Sequence, residues 1–497
     1  MNNYFLHSKQ IMCVLMASVL ALLPIDFSAQ SQNVANNPTV DARDLEKFFD
    51  PIFTEHMQKS QIPGAVLVVV KEGRILLTKG YGYANLEKKT PVVPDKTIFR
   101  VGSITKVFTA TAVMQLADRN LIKLSDNVNK YLNHFKIQDT YPQPVTFANL
   151  LTHSAGFDEI SPGRMTTSAD KVVPLDQFIQ SRLIRRSPPG DISSYETYSI
   201  SLAAHLVENV SGTPFKEYLD KNIFKPLGME RTSITSVPAD QRPSLATGYE
   251  YSKESGYRPL EFVWFNTYPA SDINSTATDM GRFMIALLEG GRYGENRILS
   301  ERTSREMLRQ QHTNHPRLPG WTYGLQESRK LNNQRGIEHG GSMDDGYSSF
   351  MYLLPEHQLG LFIACTREAT RLHDIAKEAF VNRYFPLQSK PVIAQPEARL
   401  REGLDRFTGD YRWAVYCRTC TGSNVFRPQP FKIIAKEEGS LSFWGGKWVQ
   451  IEPLLFQLAD GVLAGQVYVA FRQNEHGQIT HLFLGGPWTY ERVALGQ

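Results

Sequence analysis

Cysteine is scarce in this chain, at 4 of 497 residues, which excludes a small scaffold stapled by many disulfides. No block of five or more like charges occurs, and 54 Lys+Arg against 50 Asp+Glu leave a formal charge of +4. A nucleic-acid arm or a polybasic membrane patch is therefore not expected. There is no internal repeat and no low-complexity tract. No apolar run reaches the ~18–20 residues needed to span a bilayer. The apolar run at the N-terminus, residues 11–25, is broken at Pro24, follows Lys9, and is trailed by the small residues Ser28, Ala29 and Ser31. That arrangement reads as a cleaved export signal over residues 1–31, not a membrane anchor, and implies a periplasmic or secreted protein. Cys13 lies inside the run without a lipobox-like context, so lipid attachment is not expected.

What is present is an ordinary globular composition, 41% hydrophobic and 21% charged, long enough for two or three domains. Cys365, Cys417 and Cys420 remain after signal removal. In an oxidising compartment Cys417-Arg418-Thr419-Cys420 suits a small disulfide loop, with Cys365 as a buried apolar residue within 361–366. One Cys pair is too few ligands for zinc, and His312-Thr313-Asn314-His315 has no third ligand nearby. No metal and no other cofactor is expected.

Residues 65–70 and 75–78 flank Glu72-Gly73 as two strands joined by a tight turn. Residues 104–119 change to the period of an apolar helix, with Gly102 and Ser103 at its start. Further helical patterns cover 198–210, 214–222, 280–288 and 302–310, and strand-like runs return at 348–354 and 360–365. Strands at both ends of a helical middle predict an α+β sandwich over residues 40–388, its sheet closed by distant parts of the chain. A Pro-rich linker is expected at 389–402. From 403 to 497 six short runs, 411–416, 431–435, 441–444, 448–455, 462–471 and 479–484, are separated by turn residues and predict a small all-β barrel.

Ser-x-x-Lys occurs twice, about the number chance provides. Ser168-Ala169-Asp170-Lys171 has no apolar helix behind it and reads as a solvated loop. Ser103-Ile104-Thr105-Lys106 opens the apolar helix. Positions i and i+3 share a helix face, so the Lys106 amine can lie beside the Ser103 hydroxyl, and burial would lower the lysine pKa until it accepts a proton. The string alone fits a helix-capping serine better; its surroundings decide otherwise.

The segment Asp95-Lys96-Thr97-Ile98-Phe99-Arg100-Val101-Gly102-Ser103-Ile104-Thr105-Lys106 resembles the nucleophile segment of the serine β-lactamase and penicillin-binding-protein superfamily, in its class C and esterase branch. The resemblance continues, in order over about residues 45–385, at Ile62-Pro63-Gly64, Leu150-Leu151-Thr152-His153-Ser154-Ala155-Gly156, Pro226-Leu227-Gly228-Met229 and Ser275-Thr276-Ala277-Thr278-Asp279-Met280. It implies an antiparallel sheet flanked by helices with a helical subdomain, here followed by a lipocalin-like barrel. It further implies a serine hydrolase acting through an acyl-enzyme on Ser103.

The resemblance also assigns a tyrosine downstream of a Pro-Gly turn, which Tyr195 satisfies after Pro189-Gly190. Tyr83-Ala84-Asn85 and Tyr131-Leu132-Asn133 match the family's Tyr-x-Asn literally but in the wrong place. At the right place the motif is Tyr195-Glu196-Thr197, so Thr197 stands where the family has an Asn whose amide helps hold the substrate carbonyl and the lysine, which puts β-lactam recognition in doubt. The flanking strand is implied at His339-Gly340-Gly341, with Gly340 and Gly341 letting substrate approach and Ser342 giving the second oxyanion N–H beside that of Ser103. His339 would orient Tyr195 or face a substrate carboxylate. Gly340-Gly341-Ser342-Met343-Asp344 is not a nucleophile elbow, because Asp344 replaces glycine and a strand follows. His153 and His205 are expected to be structural. The partner implied is a small-molecule or peptide substrate: an ester, a D-amino-acid peptide, a cell-wall fragment or a β-lactam. Thr197 and His339 favour an esterase or peptidase over a β-lactamase. A ligand sensor acylated without turnover and a structural assembly protein are the alternatives, and oligomeric state is left open.

Overall fold

The computed structural model describes residues 40–395, 403–421, 425–486 and 488–493. The export signal at 1–31 and the end of the linker at 396–402 lie outside the described residues. Among those described, no helix is long and apolar enough to cross a membrane.

Helix α1 (Ala42–Lys59) opens on Asp41, whose carboxylate accepts the N–H groups of Arg43 and Asp44, and it buries Leu45, Phe49, Ile52 and Phe53. The chain then forms β1 (Gly64–Lys71), β2 (Arg74–Asn85) and β3 (Thr90–Pro91), helix α2 (Thr105–Asp118), helix α3 (Thr197–Ser211) and helix α4 (Ala277–Leu288). It returns as β4 (Gln326–Glu327), β5 (Ile337–Ser342), β6 (Ser348–Leu354) and β7 (Leu359–Cys365), closing with helix α5 (Thr370–Tyr384). The sheet order is β4-β5-β6-β7-β1-β2-β3, all pairs antiparallel, with Ala65 opposite Cys365 at the seam of the two chain segments.

β1 is apolar at nearly every position because both of its faces are covered. Val66, Val68 and Val70 share a core with α2 and α4, where Phe108 and Phe283 stack at 3.8 Å. Ala65, Leu67 and Val69 face α1 and α5, where Phe49 stacks on Phe380. Helices α1 and α5 were not among the expected helices. Their apolar stripes are interrupted by charge, and only packing against the sheet makes them evident.

The C-terminal part is a closed barrel of eight antiparallel strands: β8 (Gly409–Trp413), β9 (Phe431–Lys436), β10 (Ser440–Phe443), β11 (Gly446–Glu452), β12 (Leu455–Leu458), β13 (Tyr468–Gln473), β14 (Ile479–Gly485) and β15 (Trp488–Arg492). Six runs were expected. The run 448–455 turns at Pro453 to start β12, the run 462–471 becomes strand only from Tyr468, and β15 had been missed altogether. Cys417 and Cys420 form a disulfide, and Cys365 is free and buried.

The barrel packs against the sheet domain through specific polar contacts. Asp158, fully buried, accepts from the backbone N–H groups of Arg418 and Thr419 and from the Thr419 hydroxyl, all within the disulfide loop. Thr489 donates to the Ser193 carbonyl at 2.7 Å, Asn314 donates to the Thr489 hydroxyl, and the Trp321 indole donates to the Gly486 carbonyl.

Candidate active site

Ser103 lies in the short helical turn Gly102–Ile104 that leads directly into α2. Gly102 holds a φ of 54°, and a Cβ there would stand 3.1 Å from the Ser342 nitrogen and the Met343 side chain. Glycine is thus needed both for the turn and for the close approach of β5. Gly341 is needed for the converse reason, since a Cβ on it would fall 2.2 Å from the Val101 carbonyl oxygen. The Ser349 hydroxyl donates to that same carbonyl at 2.7 Å. The turn bearing Ser103 and the strand bearing Ser342 are in this way locked together.

Every residue of α2 from Thr105 to Leu116 is buried. The Lys106 side chain therefore leaves water entirely, and its Nζ stands 3.0 Å from Ser103 Oγ while donating to the Ala270 carbonyl at 2.9 Å. Burial is the main cause that brings its pKa down to about 7; Glu159 opposes the shift and Arg164 adds to it. The Tyr195 hydroxyl hydrogen-bonds Ser103, and its ring centre is 4.8 Å from Lys106 Nζ. Burial raises the Tyr195 pKa, so the phenol holds its proton. Ser103, Tyr195, His339, Gly340, Gly341 and Ser342 all line one cavity of 1210 Å³.

His339 sits with its ring centre 6.1 Å from that of Tyr195. Its Nδ1 is 2.7 Å from the Gly340 carbonyl, an atom that only accepts, so Nδ1 carries the proton. Burial and the nearby Lys106 amine depress its pKa to about 3, leaving Nε2 as a bare acceptor, and that buried atom has no partner among the described residues. A neutral ring of this kind offers no charge to a substrate carboxylate.

Thr197 is not brought to the cavity surface. It is 4% exposed, and its backbone N–H, at the start of α3, donates to Glu159 at 2.8 Å. The rejected copies lie elsewhere: Tyr83 is exposed on β2, and the Tyr131 hydroxyl is held by Asp126. Lys171 is exposed in its loop, and β6 follows the turn after Ser342, so no elbow forms there. His205 stacks on Phe135 within the core.

Several residues around the site had no signal in the sequence. His153, expected to be structural, packs its buried ring 4.7 Å from that of Tyr195 and 4.4 Å from that of Trp321. Its Nδ1 accepts the Glu196 N–H at 3.0 Å. Glu196 in turn receives the N–H groups of Gly156 and Phe157 at 2.8 and 3.0 Å and contacts the Ser199 hydroxyl, and burial raises its pKa to about 8. Arg100, also fully buried, pairs with Asp272 at 2.7 Å and with Asp345, joining the loop after Ser342 to the segment that carries Ala270. Apart from Ser199, each partner is remote in sequence, so no local pattern exposes the role.

A family model described as Beta-lactamase matches residues 49–381. The putative penicillin-binding protein PbpX of Bacillus subtilis (strain 168) is 32% identical over 228 residues, covering 46% of this chain and 56% of that protein. Protein flp of Staphylococcus aureus (strain MW2) is 26% identical over 327 residues, covering 64% of this chain; the match spans 63% of that relative's own length. Among solved structures, the octameric penicillin-binding protein homologue of Pyrococcus abyssi superposes with a TM-score of 0.58 at 23% identity, over 91% of this chain and 100% of that one. The class C beta lactamase of Rhodobacter sphaeroides gives 0.56 at 22% identity, over 68% and 98%. These two likenesses establish the fold, and the match from residue 49 to residue 381 establishes the kinship: this chain belongs to the beta-lactamase family.

Proposed function

We propose that this protein is an exported serine hydrolase that cleaves esters or amides through an acyl-enzyme on Ser103. The observation that carries the proposal is the buried Lys106 amine 3.0 Å from the Ser103 hydroxyl at the floor of a cavity. A lysine brought to about pKa 7 is partly neutral near pH 7 and can take a proton. As Ser103 Oγ bonds to the substrate carbonyl carbon, its proton passes to Lys106 Nζ and the carbonyl electrons move onto oxygen. The N–H groups of Ser103 and Ser342 would hold that oxyanion. Collapse expels the alcohol or amine, which takes the proton from Lys106 by way of the Tyr195 hydroxyl. Water then attacks the acyl carbon, loses its proton to Lys106, and the Ser103 oxygen leaves with a proton to restore the free enzyme.

The neutral His339 ring offers no charge to a substrate carboxylate and so favours substrates without one. Thr197 lies off the cavity surface, which also favours esters or N-terminal D-peptides over penicillins. The test is intact-mass spectrometry with a fluorophosphonate, beside steady-state turnover of a short-chain ester and a penicillin. One adduct lost in Ser103→Ala, with ester turnover exceeding penicillin turnover, is the expected result; labelling that survives Ser103→Ala refutes the assignment. Export rests on residues 1–31, and N-terminal sequencing of the extracytoplasmic protein tests it.

A second reading is favoured by the name of the 32%-identical Bacillus relative, a putative penicillin-binding protein. In it Ser103 is acylated and water cannot complete the cycle. A stoichiometric burst without turnover distinguishes it.

A further inference from the structure

The cavity that contains Ser103 does not end at the sheet domain; it continues into the barrel. Side chains alternate across each barrel strand, and Tyr411, Tyr490, Leu482 and Phe456 mark the inward face by their place in the barrel core. Two positions from Tyr411, Tyr490 and Phe456 stand Trp413, Trp488 and Leu458, which share that inward face, and Leu484, at a bulge in β14, packs against the same core. With Trp448, also a core residue, and Val467 they line the same cavity as the catalytic serine. Trp413 and Trp488 pair at 5.7 Å, half-buried, at this open end. Deeper in, the lumen is filled by Phe407 packed on Phe456 and Phe471.

The barrel rim sits beside the catalytic strand. A Cβ on Gly485 would fall 2.9 Å from Pro319, and one on Gly486 3.4 Å from Gln326, while Gln326 pairs with Glu338, the residue before His339. None of the six residues lining this end carries a charge, and the one fully buried indole, Trp448, already donates to the Phe443 carbonyl. Eight-stranded barrels leave an interior wide enough for one small ligand. At 1210 Å³ the cavity exceeds the ~300–1,000 Å³ usual for a small-molecule site, so room remains beyond the reacting group.

We propose that the open end of the barrel is a substrate subsite of the hydrolase, taking the unbranched apolar acyl chain of an ester whose carbonyl lies at Ser103. This rests on the hydrolase reading above for its chemistry, though not for binding. A chain suits the lining: Ser103, Pro319, Gly485, Trp413 and Trp488 border one cavity, and methylenes that reach the indoles leave water for apolar side chains.

Two measurements test it. The first is kcat/KM for 4-nitrophenyl acetate, hexanoate and decanoate, in the full-length protein and in Trp488→Ala and Leu484→Asp. The expected result is a rise of at least about tenfold from acetate to decanoate, and its loss in both variants. The second is quenching of tryptophan fluorescence by decanoate in Ser103→Ala, expected to saturate and to be lost when Leu484→Asp is added. Trp488→Phe, which keeps an aromatic ring at the rim, serves if Trp488→Ala does not fold. Ester turnover that ignores chain length, together with no saturable quenching, overturns the subsite while leaving the hydrolase reading intact. Quenching that persists without any ester turnover supports the subsite and sinks the hydrolase reading instead. Quenching unaltered by Leu484→Asp places the chain elsewhere and overturns the subsite.

Discussion

The Asp158 carboxylate receives the Thr419 backbone N–H at 2.9 Å and the Thr419 hydroxyl at 2.7 Å, across the boundary between the sheet domain and the barrel. The next residue, Glu159, holds the N–H of Thr197 beside Tyr195. One loop thus fastens the barrel with one carboxylate and the start of α3 with the next. Asp158→Ala removes a fully buried acceptor from those donors, which are themselves only partly buried. The expected cost is about 2–3 kcal/mol, read as a lower thermal midpoint, with ester turnover falling as the Tyr195 segment loosens. Asp158→Asn keeps an acceptor and is expected to lose less.

Lys106 governs a pH profile. The productive amine is neutral, so kcat/KM for a neutral ester rises with pH through about 7, the value to which burial brings it. Lys106→Met is expected to lower kcat/KM by about 10²–10⁴-fold and to remove that limb. Stability carries the same signature with its own sign. The folded pKa lies below the unfolded one, so between about 7 and the ordinary lysine value the unfolded chain binds more protons and stability rises with pH. Urea midpoints compared for the two proteins across that range test it.

Glu196 titrates in the opposite sense. Its folded pKa, raised to about 8 by burial, exceeds the ordinary carboxylate value, so the folded state binds the extra proton. The stability tied to that proton is complete below the unfolded pKa and is lost as pH rises through about 8. Glu196→Gln can still accept from Gly156 and Phe157 with its amide oxygen, and is expected to fold while flattening this dependence. Glu196→Ala leaves two buried N–H groups unpaired and is expected to cost about 1–3 kcal/mol for each. Thermal midpoints of both variants between pH 5 and 9 distinguish the outcomes.

His339 lines the cavity as a neutral ring, its buried Nε2 an acceptor without a partner among the described residues. His339→Lys replaces it with a cation and is expected to shift the ratio of kcat/KM toward substrates bearing a free carboxylate, by about tenfold or more at low ionic strength. Paired esters differing only in that carboxylate measure the ratio, and an unchanged ratio removes His339 from substrate recognition.

What was legible in the sequence is what depends on near neighbours. Ser103 and Lys106 are three residues apart on a helix whose apolar period is plain, and the glycines of β5 announce a close approach of backbone. The roles of His153, Glu159 and Glu196 depend on partners that only the fold brings near, such as the Thr197 N–H, 38 residues from Glu159. The barrel was evident as a rhythm of short runs, but its strand count was not. β15 carries Glu491 and Arg492 side by side, paired with Arg412 of β8 and with the Arg406 and Thr408 carbonyls, and two charges in succession mask the alternation.

The seam at which Ala65 meets Cys365 has a consequence for assembly. β1 emerges from the ribosome early and waits nearly three hundred residues for its neighbour β7, so the central sheet is built from contacts of very long range, the kind that forms slowly. A chain cut short before β7 retains Ser103, Lys106 and β5, but lacks the strand that joins β5 and β6 to β1. Synthesis must run almost to the barrel before the sheet that seats the Ser103–Lys106 pair can close.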